Sequence, residues 1–335
     1  MSTDQHSELP LTQATALAET VLDRVEQAVV GKREALTLVL TTVLAGGHVL
    51  LEDYPGLGKT LAARSFAQSL GLDFTRAQFT PDLLPADLTG AYVYDQRTSE
   101  FDFRAGPLFT GLLLADEINR TPPKTQSALL EAMQEHQVTV EGMTHQLPQP
   151  FHVLATANPV EYEGTYPLPE AQLDRFLMRV SFGYPTQDEE IDVLRRRVQR
   201  RTEDQHLEPV TEAAGLQRIQ RAIESVPIEE DIAQYCVRLA TQTRSHASVQ
   251  VGSSPRGSLA LMLTARAYAV IDGRDFVTPE DVKAVAHAVL DHRISIKPEL
   301  WMSTEAAFGV VSAALSTVPV PPSRDVSQKS VSRSP

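Results

Sequence analysis

A glycine-rich turn followed by lysine and threonine is the part of this sequence with the clearest chemical meaning. The run is Gly56-Leu57-Gly58-Lys59-Thr60, and it directly follows a short apolar segment, residues 48–52. Glycines permit a tight turn that aims backbone N–H groups at phosphate oxygens, and the N-terminus of a following helix adds its positive dipole end. Lys59 would bridge the β- and γ-phosphates of a nucleotide, and the Thr60 hydroxyl would bind Mg²⁺. This order of strand, loop, lysine and threonine predicts a nucleotide and magnesium site.

The loop departs from the full phosphate-loop pattern at its first position, where Asp53 stands in place of glycine. A carboxylate near bound phosphates repels them unless it points away or pairs with a cation. Because the rest of the pattern is intact, we predict a working loop and at most a modest gain in nucleotide affinity for Asp53→Gly. The loop residues predicted to contact the nucleotide are Pro55, Gly56, Leu57, Gly58, Lys59, Thr60 and Leu61.

Two acids and one amide follow two further apolar segments that are predicted to be buried strands. Residues 112–115 run into Asp116-Glu117, and residues 151–156 are followed by Asn158. Ligands of open α/β sheets bind at the carboxyl ends of the strands, so these side chains should meet at one edge. Asp116 would hold the Mg²⁺ shell, Glu117 would polarise the attacking water, and Asn158 would hold that water and a γ-phosphate oxygen. By residue type alone, an asparagine before proline would indicate only a turn.

Two arginines are candidates for stabilising a transferred phosphoryl group. The transfer concentrates negative charge on oxygen atoms, and a guanidinium offers planar, paired donors to them. The candidates are Arg175, in Leu173-Asp174-Arg175-Phe176, and Arg256, in Ser254-Pro255-Arg256-Gly257. Spacing alone does not distinguish either residue from an ordinary surface arginine.

Strands that alternate with helices must position these groups, and the alternation predicts a parallel sheet covered on both faces. Helical spacing of apolar residues predicts helices over residues 12–30, 33–44, 61–70 and 122–136. The last of these should begin with Thr121 as N-cap and Pro122 at the first helical position. Alternating residues around short turns predict two hairpins, one pairing residues 91–95 with 100–104 and one pairing 137–140 with 144–147. Tyr92 and Tyr94 on the first hairpin could grip another protein, but alternating aromatic residues more often pack on a sheet face.

The pattern changes after residue 184, where we expect a domain boundary. Residues 12–184 indicate an α/β nucleotide-binding domain, and residues 185–317 indicate a smaller all-α lid domain with no convincing strand. Thr278-Pro279-Glu280-Asp281 combines an N-cap, a first-turn proline and first-turn acids, which is typical of a helix start. Trp301 would begin another helix and lie in the core of the lid. We expect residues 1–11 to be a flexible N-terminus and residues 318–335, rich in proline and serine, to be a disordered tail.

Composition and charge limit the classes of function. The chain has 335 residues, of which 42% are hydrophobic, and a net charge of −13. Because phosphate contacts dominate nucleic-acid affinity, this acidity disfavours nucleic-acid binding, and the basic stretch at residues 195–201 lies among acids like an ion-paired helix face. We expect no secretory signal, no membrane insertion, no disulfide from the lone Cys236 and no metal site among the nine histidines. A reducing cytoplasm fits these expectations.

The order of the motifs resembles that of an AAA+ module. In that module the loop is Walker A, Asp116-Glu117 is Walker B, Asn158 is sensor 1, Arg175 is the arginine finger and Arg256 is sensor 2. Longer strings narrow the resemblance to the MoxR family of AAA+ ATPases. They are Arg104-Ala105-Gly106-Pro107-Leu108-Phe109, Asp116-Glu117-Ile118-Asn119-Arg120, the run over residues 163–176, and Ser254-Pro255-Arg256. The likeness extends over about residues 15–320.

The resemblance implies properties that composition and spacing do not show. It implies a ring, usually a hexamer, that binds ATP and Mg²⁺ between subunits and hydrolyses the ATP. It implies chaperone-like remodelling or maturation of client proteins, often with a partner that carries a von Willebrand factor A domain. Val30-Gly31 resembles the segment that contacts adenine in this family, and the two hairpins match insertions that face the pore or the client.

Three alternatives stay open on the sequence alone. The ATPase subunit of magnesium chelatase has a similar module and a similar von Willebrand-type partner, and porphyrin-stimulated ATPase activity would favour it. A DNA-translocating or helicase-loading motor would bind DNA in a salt-sensitive manner, which the net charge of −13 disfavours. A scaffold that binds nucleotide without hydrolysis is disfavoured because Lys59, Glu117 and Asn158 are all present.

Overall fold

The computed structural model describes residues 9–159, 164–202, 205–300 and 306–322. Residues 1–8, the tail beyond residue 322 and Trp301, for which predictions were made above, lie outside the described residues. The strands are β1 (Val49–Glu52), β2 (Phe74–Gln78), β3 (Gly90–Asp95), β4 (Glu100–Ala105), β5 (Leu112–Asp116), β6 (Gln137–Val140), β7 (Met143–Gln146), β8 (His152–Ala157), β9 (Met178–Val180), β10 (Val249–Val251) and β11 (Ser295–Ile296). The helices are α1 (Leu11–Glu26), α2 (Arg33–Leu44), α3 (Lys59–Ser69), α4 (Pro85–Thr89), α5 (Pro123–Glu135), α6 (Glu170–Leu173), α7 (Gln187–Arg200), α8 (Ala213–Glu224), α9 (Glu230–Arg244), α10 (Pro255–Ile271), α11 (Pro279–Leu290) and α12 (Ala306–Thr317).

Five of the strands form a parallel sheet in the order β2-β5-β8-β1-β9. Every residue of β5 and β8 is buried, as is β1 except at Glu52. Such short apolar strands are typical of parallel sheets covered on both faces, because neither side of the strand meets water. The prediction of a parallel sheet sandwiched by helices is confirmed, and β1, β5 and β8 lie within one residue of the predicted segments.

Two edge strands and one small sheet were not predicted. β2 carries polar side chains along its length, and β9 has three residues, so neither produces an apolar run of the kind that marks a buried strand. In the region expected to be purely helical, β10 pairs antiparallel with β11. The expectation of no strand after residue 184 was therefore wrong, and strands of three and two residues are too short to give a periodic pattern.

Side chains alternate across the sheet and divide the core into two layers. Val49 and Leu51 belong to the layer that contains α1, α2, α3 and the helices α8 to α12, whereas Leu50 belongs to the layer that contains α5. In β5, Leu112 lies in the first layer and Leu113 in the second. This is the consequence of the two-residue period of a strand, and it lets one sheet anchor both layers.

The start of α5 differs from the sequence prediction. The helix begins at Pro123, and Pro122 is its N-cap with a φ of −56° and a ψ of 152°. A residue that precedes proline is pushed out of the α region, so Pro123 keeps Pro122 extended. Thr121 does not cap the helix, because its hydroxyl donates to the carbonyl oxygen of Thr80 at 3.0 Å. The prediction of Thr121 as N-cap and Pro122 as first helical residue was wrong by one position.

Both predicted hairpins are present, one formed by β3 and β4 and one by β6 and β7. His145 of β7 joins them, because its ring stacks on Phe103 at 3.8 Å and its Nε2 lies 3.3 Å from the Tyr92 hydroxyl. Tyr92 therefore packs, as predicted. Tyr94 pairs with Phe101 across the first hairpin, and these two rings are 48% and 68% exposed. The hairpin thus presents an exposed aromatic pair close to its turn.

Three observations concern the expectations about membrane insertion, metal binding and the lone cysteine. Within the described ranges, no helix combines the length and the apolar character needed to cross a membrane. The same residues contain no group of three or more His, Cys, Asp or Glu side chains arranged to hold a metal ion. Cys236 is buried, and burial raises the pKa of its thiol to about 12.

Two histidines are buried at the edge of the sheet where the strands begin. His48 Nδ1 accepts a hydrogen bond from the Val153 N–H at 3.0 Å, and His48 Nε2 lies 3.2 Å from the carbonyl oxygen of Met133. His152 Nδ1 lies 3.0 Å from the carbonyl oxygen of Gly47. Burial lowers the pKa of His48 to about 3 and that of His152 to about 4. Both rings are therefore neutral in the folded protein at neutral pH.

We predict that these histidines make the fold acid-sensitive. Their folded pKa values lie below the ordinary 6.5, so below pH 6.5 the unfolded chain binds more protons than the folded protein. The free energy of unfolding therefore decreases as the pH is lowered. Between pH 6 and pH 5, His152 alone should remove about 1.2 kcal/mol of stability. His152→Gln should therefore reduce the pH dependence of the urea-unfolding free energy by about that amount.

The matched control for this experiment is His206→Gln, which changes a histidine side chain that is 77% exposed. It should leave the pH dependence as it is in the wild type. If His152→Gln and the wild type lose equal stability between the two pH values, burial of neutral His152 is not a source of acid sensitivity.

Candidate active site

The phosphate loop connects β1 to α3 and takes its shape from two glycines. Gly56 has a φ of 82° and Gly58 a φ of 84°, both in the left-handed region that side chains rarely adopt. An added Cβ at either position would meet no atom within 4 Å among the described residues, so the backbone conformation, not crowding, requires glycine there. The turn ends at Lys59, the first residue of α3, so the free N–H groups of the helix start point into the loop.

Lys59 folds back over its own loop. Its Nζ donates to the carbonyl oxygen of Asp53 at 2.5 Å and to that of Tyr54 at 3.2 Å. Burial lowers the pKa of Lys59, while the nearby carboxylates of Asp53 and Asp116 act in the opposite direction. The ammonium therefore has a partly buried, polar setting in which phosphate oxygens could replace the two carbonyl oxygens.

Asp116 ends β5 and is held on both of its oxygens. Its Oδ1 accepts from the Thr156 hydroxyl at 2.6 Å, and its Oδ2 accepts from Arg76 at 2.6 Å and 3.0 Å. The carboxylate is buried, whereas the Arg76 side chain is 49% exposed. Carboxylate and hydroxyl oxygens are ligands that Mg²⁺ prefers, so Asp116 and the Thr60 hydroxyl fit that ion as a donor set.

Glu117 has a left-handed backbone, with a φ of 59° and a ψ of 49°. The Thr156 hydroxyl oxygen accepts from the Glu117 N–H at 2.8 Å, so one side chain of β8 holds both acids. The Glu117 Oε2 accepts from Gln78 Nε2 at 2.6 Å and lies 3.3 Å from Arg120 Nε. Non-glycine residues with positive φ are rare and concentrate at functional sites.

Sequence reasoning missed Arg76, Gln78 and Thr156. Arg76 and Gln78 stand two residues apart in β2, so both side chains lie on the same face of that strand, beside the acids of β5. Their positions follow from the pairing of Arg76 with Leu114 and of Gln78 with Asp116, which no local pattern indicates. Thr156 was placed in a strand but was treated as part of an apolar run.

Asn158 directly follows β8, the strand that lies between β5 and β1. It is buried, and its carbonyl oxygen accepts from Asn119 Nδ2 at 3.1 Å. The backbone N–H of Asp53 donates to the carbonyl oxygen of Ala157 at 3.3 Å, which ties the start of the phosphate loop to the same strand end. Asn158 therefore lies at the sheet edge that carries both the loop and the acids.

Val30 and Gly31 connect α1 to α2 and lie against the start of α7. Gly31 has a φ of 70°, and a Cβ added there would lie 2.1 Å from Glu189 Oε1. The neighbouring Lys32 donates through Nζ to the carbonyl oxygen of Tyr184 at 2.9 Å. Glycine is therefore required at position 31 for both its conformation and its close contact with α7.

Arg175 lies near the end of the sheet where the strands begin, whereas Lys59 lies near the end where they stop. It precedes β9, whose first residue, Met178, pairs in parallel with Val49, the first residue of β1. The Leu177 N–H donates to the carbonyl oxygen of His48 at 2.9 Å, just before β1 begins. Lys59 follows the other end of β1, so the length of that strand separates the two residues.

Arg256 lies on the same side as Arg175. It stands in the first turn of α10, where Ser254 Oγ is 3.2 Å from Asp174 Oδ2. The buried Arg293 donates to Asp174 Oδ1 at 2.7 Å and to the carbonyl oxygen of Phe176 at 2.7 Å. Burial lowers the pKa of Arg293, with Asp174 opposing and the charge of Arg256 adding to this shift. The two predicted arginines are thus held together, away from the phosphate loop of their own chain.

Known protein families match two parts of this chain. The sequence profile of the ATPase family associated with various cellular activities (AAA) matches residues 48–178, and that of the AAA lid domain matches residues 241–308. The uncharacterized protein YeaC of Bacillus subtilis is 50% identical over 304 residues, which cover 90% of this chain and 94% of YeaC. The chaperone MoxR1 of Mycobacterium tuberculosis is 39% identical over 320 residues, which cover 93% of this chain and 84% of MoxR1.

A solved structure extends the likeness to three dimensions. The crystal structure of a candidate ATPase from Cytophaga hutchinsonii superposes with a TM-score of 0.86 at 39% identity, and the match covers 93% of this chain and 97% of that one. The fold is therefore an AAA domain with a parallel sheet, followed by an AAA lid domain.

Proposed function

Because the chain belongs to the MoxR family of AAA ATPases, we propose that it binds ATP with Mg²⁺ at the phosphate loop and hydrolyses it. The observation that carries this proposal is the convergence of three chain segments at one edge of the sheet. They supply a lysine on a glycine-shaped loop, the acids Asp116 and Glu117, and the amide of Asn158.

Each residue has a role that follows from its chemistry. The N–H groups of residues 56–60 and the Lys59 ammonium hold the phosphates, with Lys59 giving up the carbonyl oxygens of Asp53 and Tyr54. Thr60 and Asp116 would hold Mg²⁺, which would supply positive charge beside the transferred phosphoryl group. Val30 and Gly31 contact the adenine.

Water activation is assigned to Glu117 and Asn158. Hydrolysis requires an oriented water, and a carboxylate at the end of β5 can polarise it while the amide of Asn158 holds it. Glu117 Oε2 accepts a hydrogen bond from Gln78 Nε2 at 2.6 Å, so this oxygen would exchange Gln78 for the water whose proton it accepts. The same reasoning applies to Asp116, which must exchange Arg76 for the magnesium shell.

We further propose that the active unit is a ring, with a hexamer as the expected size. Arg175 and Arg256 lie at the sheet edge opposite their own phosphate loop, so they are positioned to serve the nucleotide of a neighbouring subunit. A head-to-tail interface brings one side of each subunit against the other side of the next, and repetition of that contact closes a ring when the rotations between subunits add up to a full turn. This assigns Arg175 as the arginine finger and Arg256 as a second arginine acting in trans.

Remodelling of client proteins is the proposed purpose of the cycle. The relative MoxR1 is named a chaperone, and the first hairpin presents the exposed pair Tyr94 and Phe101 to a polypeptide. We include in this proposal a partner protein that carries a von Willebrand factor A domain and works with the ATPase. Stimulation of the ATPase by porphyrin would favour the magnesium-chelatase alternative instead, and salt-sensitive DNA binding would favour a DNA motor.

Two substitutions should separate phosphate binding from water activation. Lys59→Ala should abolish ATP binding measured by calorimetry, because the ammonium that holds the phosphates is lost. Glu117→Gln should bind ATP and hydrolyse it at least about 100-fold more slowly, because the general base is lost. Lys124→Ala, at an exposed lysine of α5, is the control and should resemble the wild type. Equal ATP affinity of wild type and Lys59→Ala would contradict the site assignment.

A subunit-mixing experiment tests whether Arg175 acts in trans. A trans arginine is typically worth ~10³–10⁵ in turnover, so Arg175→Ala and Lys59→Ala should each give an inactive ring. Mixing the two variants should restore activity, because at some interfaces an intact Lys59 faces an intact Arg175. With equal, random mixing, roughly a quarter of the interfaces in a closed ring would be competent. Arg256→Ala mixed with Lys59→Ala should behave in the same way.

Exchange of subunits must first be shown, for instance by energy transfer between labelled chains. The control for Arg175→Ala is Arg195→Ala, which changes an arginine that is 63% exposed on α7. This variant should hydrolyse ATP at the wild-type rate. Background activity in a mixture that demonstrably exchanges would rule out Arg175 as a trans finger. Arg179 would then be tested in the same design.

A further inference from the structure

The carboxylate of Asp53 faces away from the phosphate loop to which the residue belongs. Asp53 is buried, with 5% of its surface exposed. Its Oδ1 accepts from the Ser181 hydroxyl at 3.0 Å, its Oδ2 accepts from the Phe182 N–H, and both oxygens lie 3.4 Å from the Gly183 nitrogen. The acid that departs from the phosphate-loop pattern is therefore hydrogen-bonded to the chain that leaves β9.

A buried carboxylate is tolerated where hydrogen-bond donors compensate for its lost hydration. Here two of the donors are backbone N–H groups and one is a hydroxyl, all from residues 181–183. These residues begin the stretch 181–186, here called the junction segment, which connects β9 to α7. Asp53 thus fixes the position of the junction segment relative to the loop.

Two further contacts tie the junction segment to the predicted nucleotide site. The rings of Tyr54 and Tyr184 lie 5.6 Å apart, and Lys32 Nζ donates to the Tyr184 carbonyl oxygen at 2.9 Å. Gly31 contacts Glu189, in the first turn of α7. The phosphate-binding and adenine-binding segments therefore both contact the chain that leads into α7.

Lys59 connects this cluster to nucleotide occupancy. Its ammonium is bonded to the carbonyl oxygens of Asp53 and Tyr54, the same two residues whose side chains contact the junction segment. Phosphate oxygens that draw Lys59 away would remove two hydrogen bonds from the backbone of these residues. A short path of contacts thereby connects the loop to the junction segment.

We propose that Asp53 is a positioning residue that couples the phosphate loop to the junction segment, so that nucleotide binding at the loop moves the start of α7. The proposal rests on the proposed binding of ATP at this loop. It also gives a reason to expect at most a modest gain in affinity from glycine at position 53, since the carboxylate lies against residues 181–183 and not against the phosphates. A glycine would remove the anchor and leave three donors of the junction segment to find other partners.

The first measurement is amide hydrogen exchange at Phe182 and Gly183 in the nucleotide-free protein. Asp53→Asn keeps one acceptor oxygen and the shape of the side chain, and Asp53→Gly removes both. Exchange at these two amides should rise at least about tenfold in Asp53→Gly, the factor that one hydrogen bond to a charged group is worth, and less in Asp53→Asn. Should Asp53→Gly fail to fold, Asp53→Asn carries the test.

The second measurement compares exchange across α7 with and without ATP and Mg²⁺, in chains that also carry Glu117→Gln so that the ATP persists. With Asp53 intact, ATP should change the exchange of the junction segment and of the first turn of α7. The change should be lost in Asp53→Gly, while the ATP affinity stays within about threefold, because the phosphate contacts themselves are intact. In chains that keep Glu117, Asp53→Gly should lower the rate of ATP hydrolysis without lowering the affinity for ATP.

Glu52→Gln is the matched control, because Glu52 is the neighbouring carboxylate and, like Asp53, opposes the lowering of the Lys59 pKa by burial. Glu52 pairs with Arg179 at 2.9 Å and a glutamine can still accept that hydrogen bond. It should leave the exchange of Phe182 and Gly183 unchanged. If Glu52→Gln reproduces the Asp53 effects, charge near the loop is the cause, and the coupling proposal is overturned.

Two other outcomes are equally decisive. Unchanged exchange at Phe182 and Gly183 in both Asp53 variants would show that the carboxylate is not the anchor. An ATP response of α7 that persists in Asp53→Gly would show that the loop and α7 communicate by another route. Failure of the wild type to bind ATP would instead overturn the proposed function, and the nucleotide-free exchange would still report on the anchor.

Discussion

Parallel pairing of β8 with β5 on one side and with β1 on the other is the constraint on which the site depends. It places the ends of three strands at a common edge, although the chain segments that follow them are far apart in sequence. The positions of both acids depend on this pairing through Thr156 of β8. Its hydroxyl accepts from the Glu117 N–H and donates to Asp116 Oδ1. A shift of β8 by one residue would turn Thr156 to the other face of the sheet and release both acids.

Burial makes the polar groups at this edge pair with one another. Lys59 binds carbonyl oxygens, Asp116 binds Arg76 and Glu117 binds Gln78, so these three groups, which are assigned to nucleotide chemistry, each have a protein partner. Leaving such groups unpaired would cost more than the net value of the hydrogen bonds they form. Ligand binding is then an exchange of partners, and the partners that are displaced lie on β2 and on the loop itself.

The sequence was sufficient for the parts of the fold that have a local pattern. The glycine loop, the buried strands β1, β5 and β8, both hairpins and the helix start capped by Thr278 are each encoded within about ten neighbouring residues. Asp53 was recognised as a departure, but its direction could not be, because its donors lie about 130 residues further along. Arg76 and Gln78 were missed because β2 lacks an apolar run, and the domain boundary after residue 184 stays a prediction.

Contacts of the lid support the proposal that Arg175 and Arg256 serve the site of a neighbouring subunit. Arg293 and Ser254 hold Asp174, so the start of α10 and the turn that carries Arg175 form one unit. That unit lies where the strands begin, and a four-residue strand such as β1 separates it from the strand ends by about 13 Å. Breaking the bonds of Arg293 and Ser254 to Asp174 would leave the buried Arg293 charge without its carboxylate. This cost disfavours a movement of the lid towards the phosphate loop of its own chain. In the proposed function, a nucleotide at that loop would therefore take its arginines from another copy of the chain, and the proposed ring rests on this division of groups between the two ends of the strands.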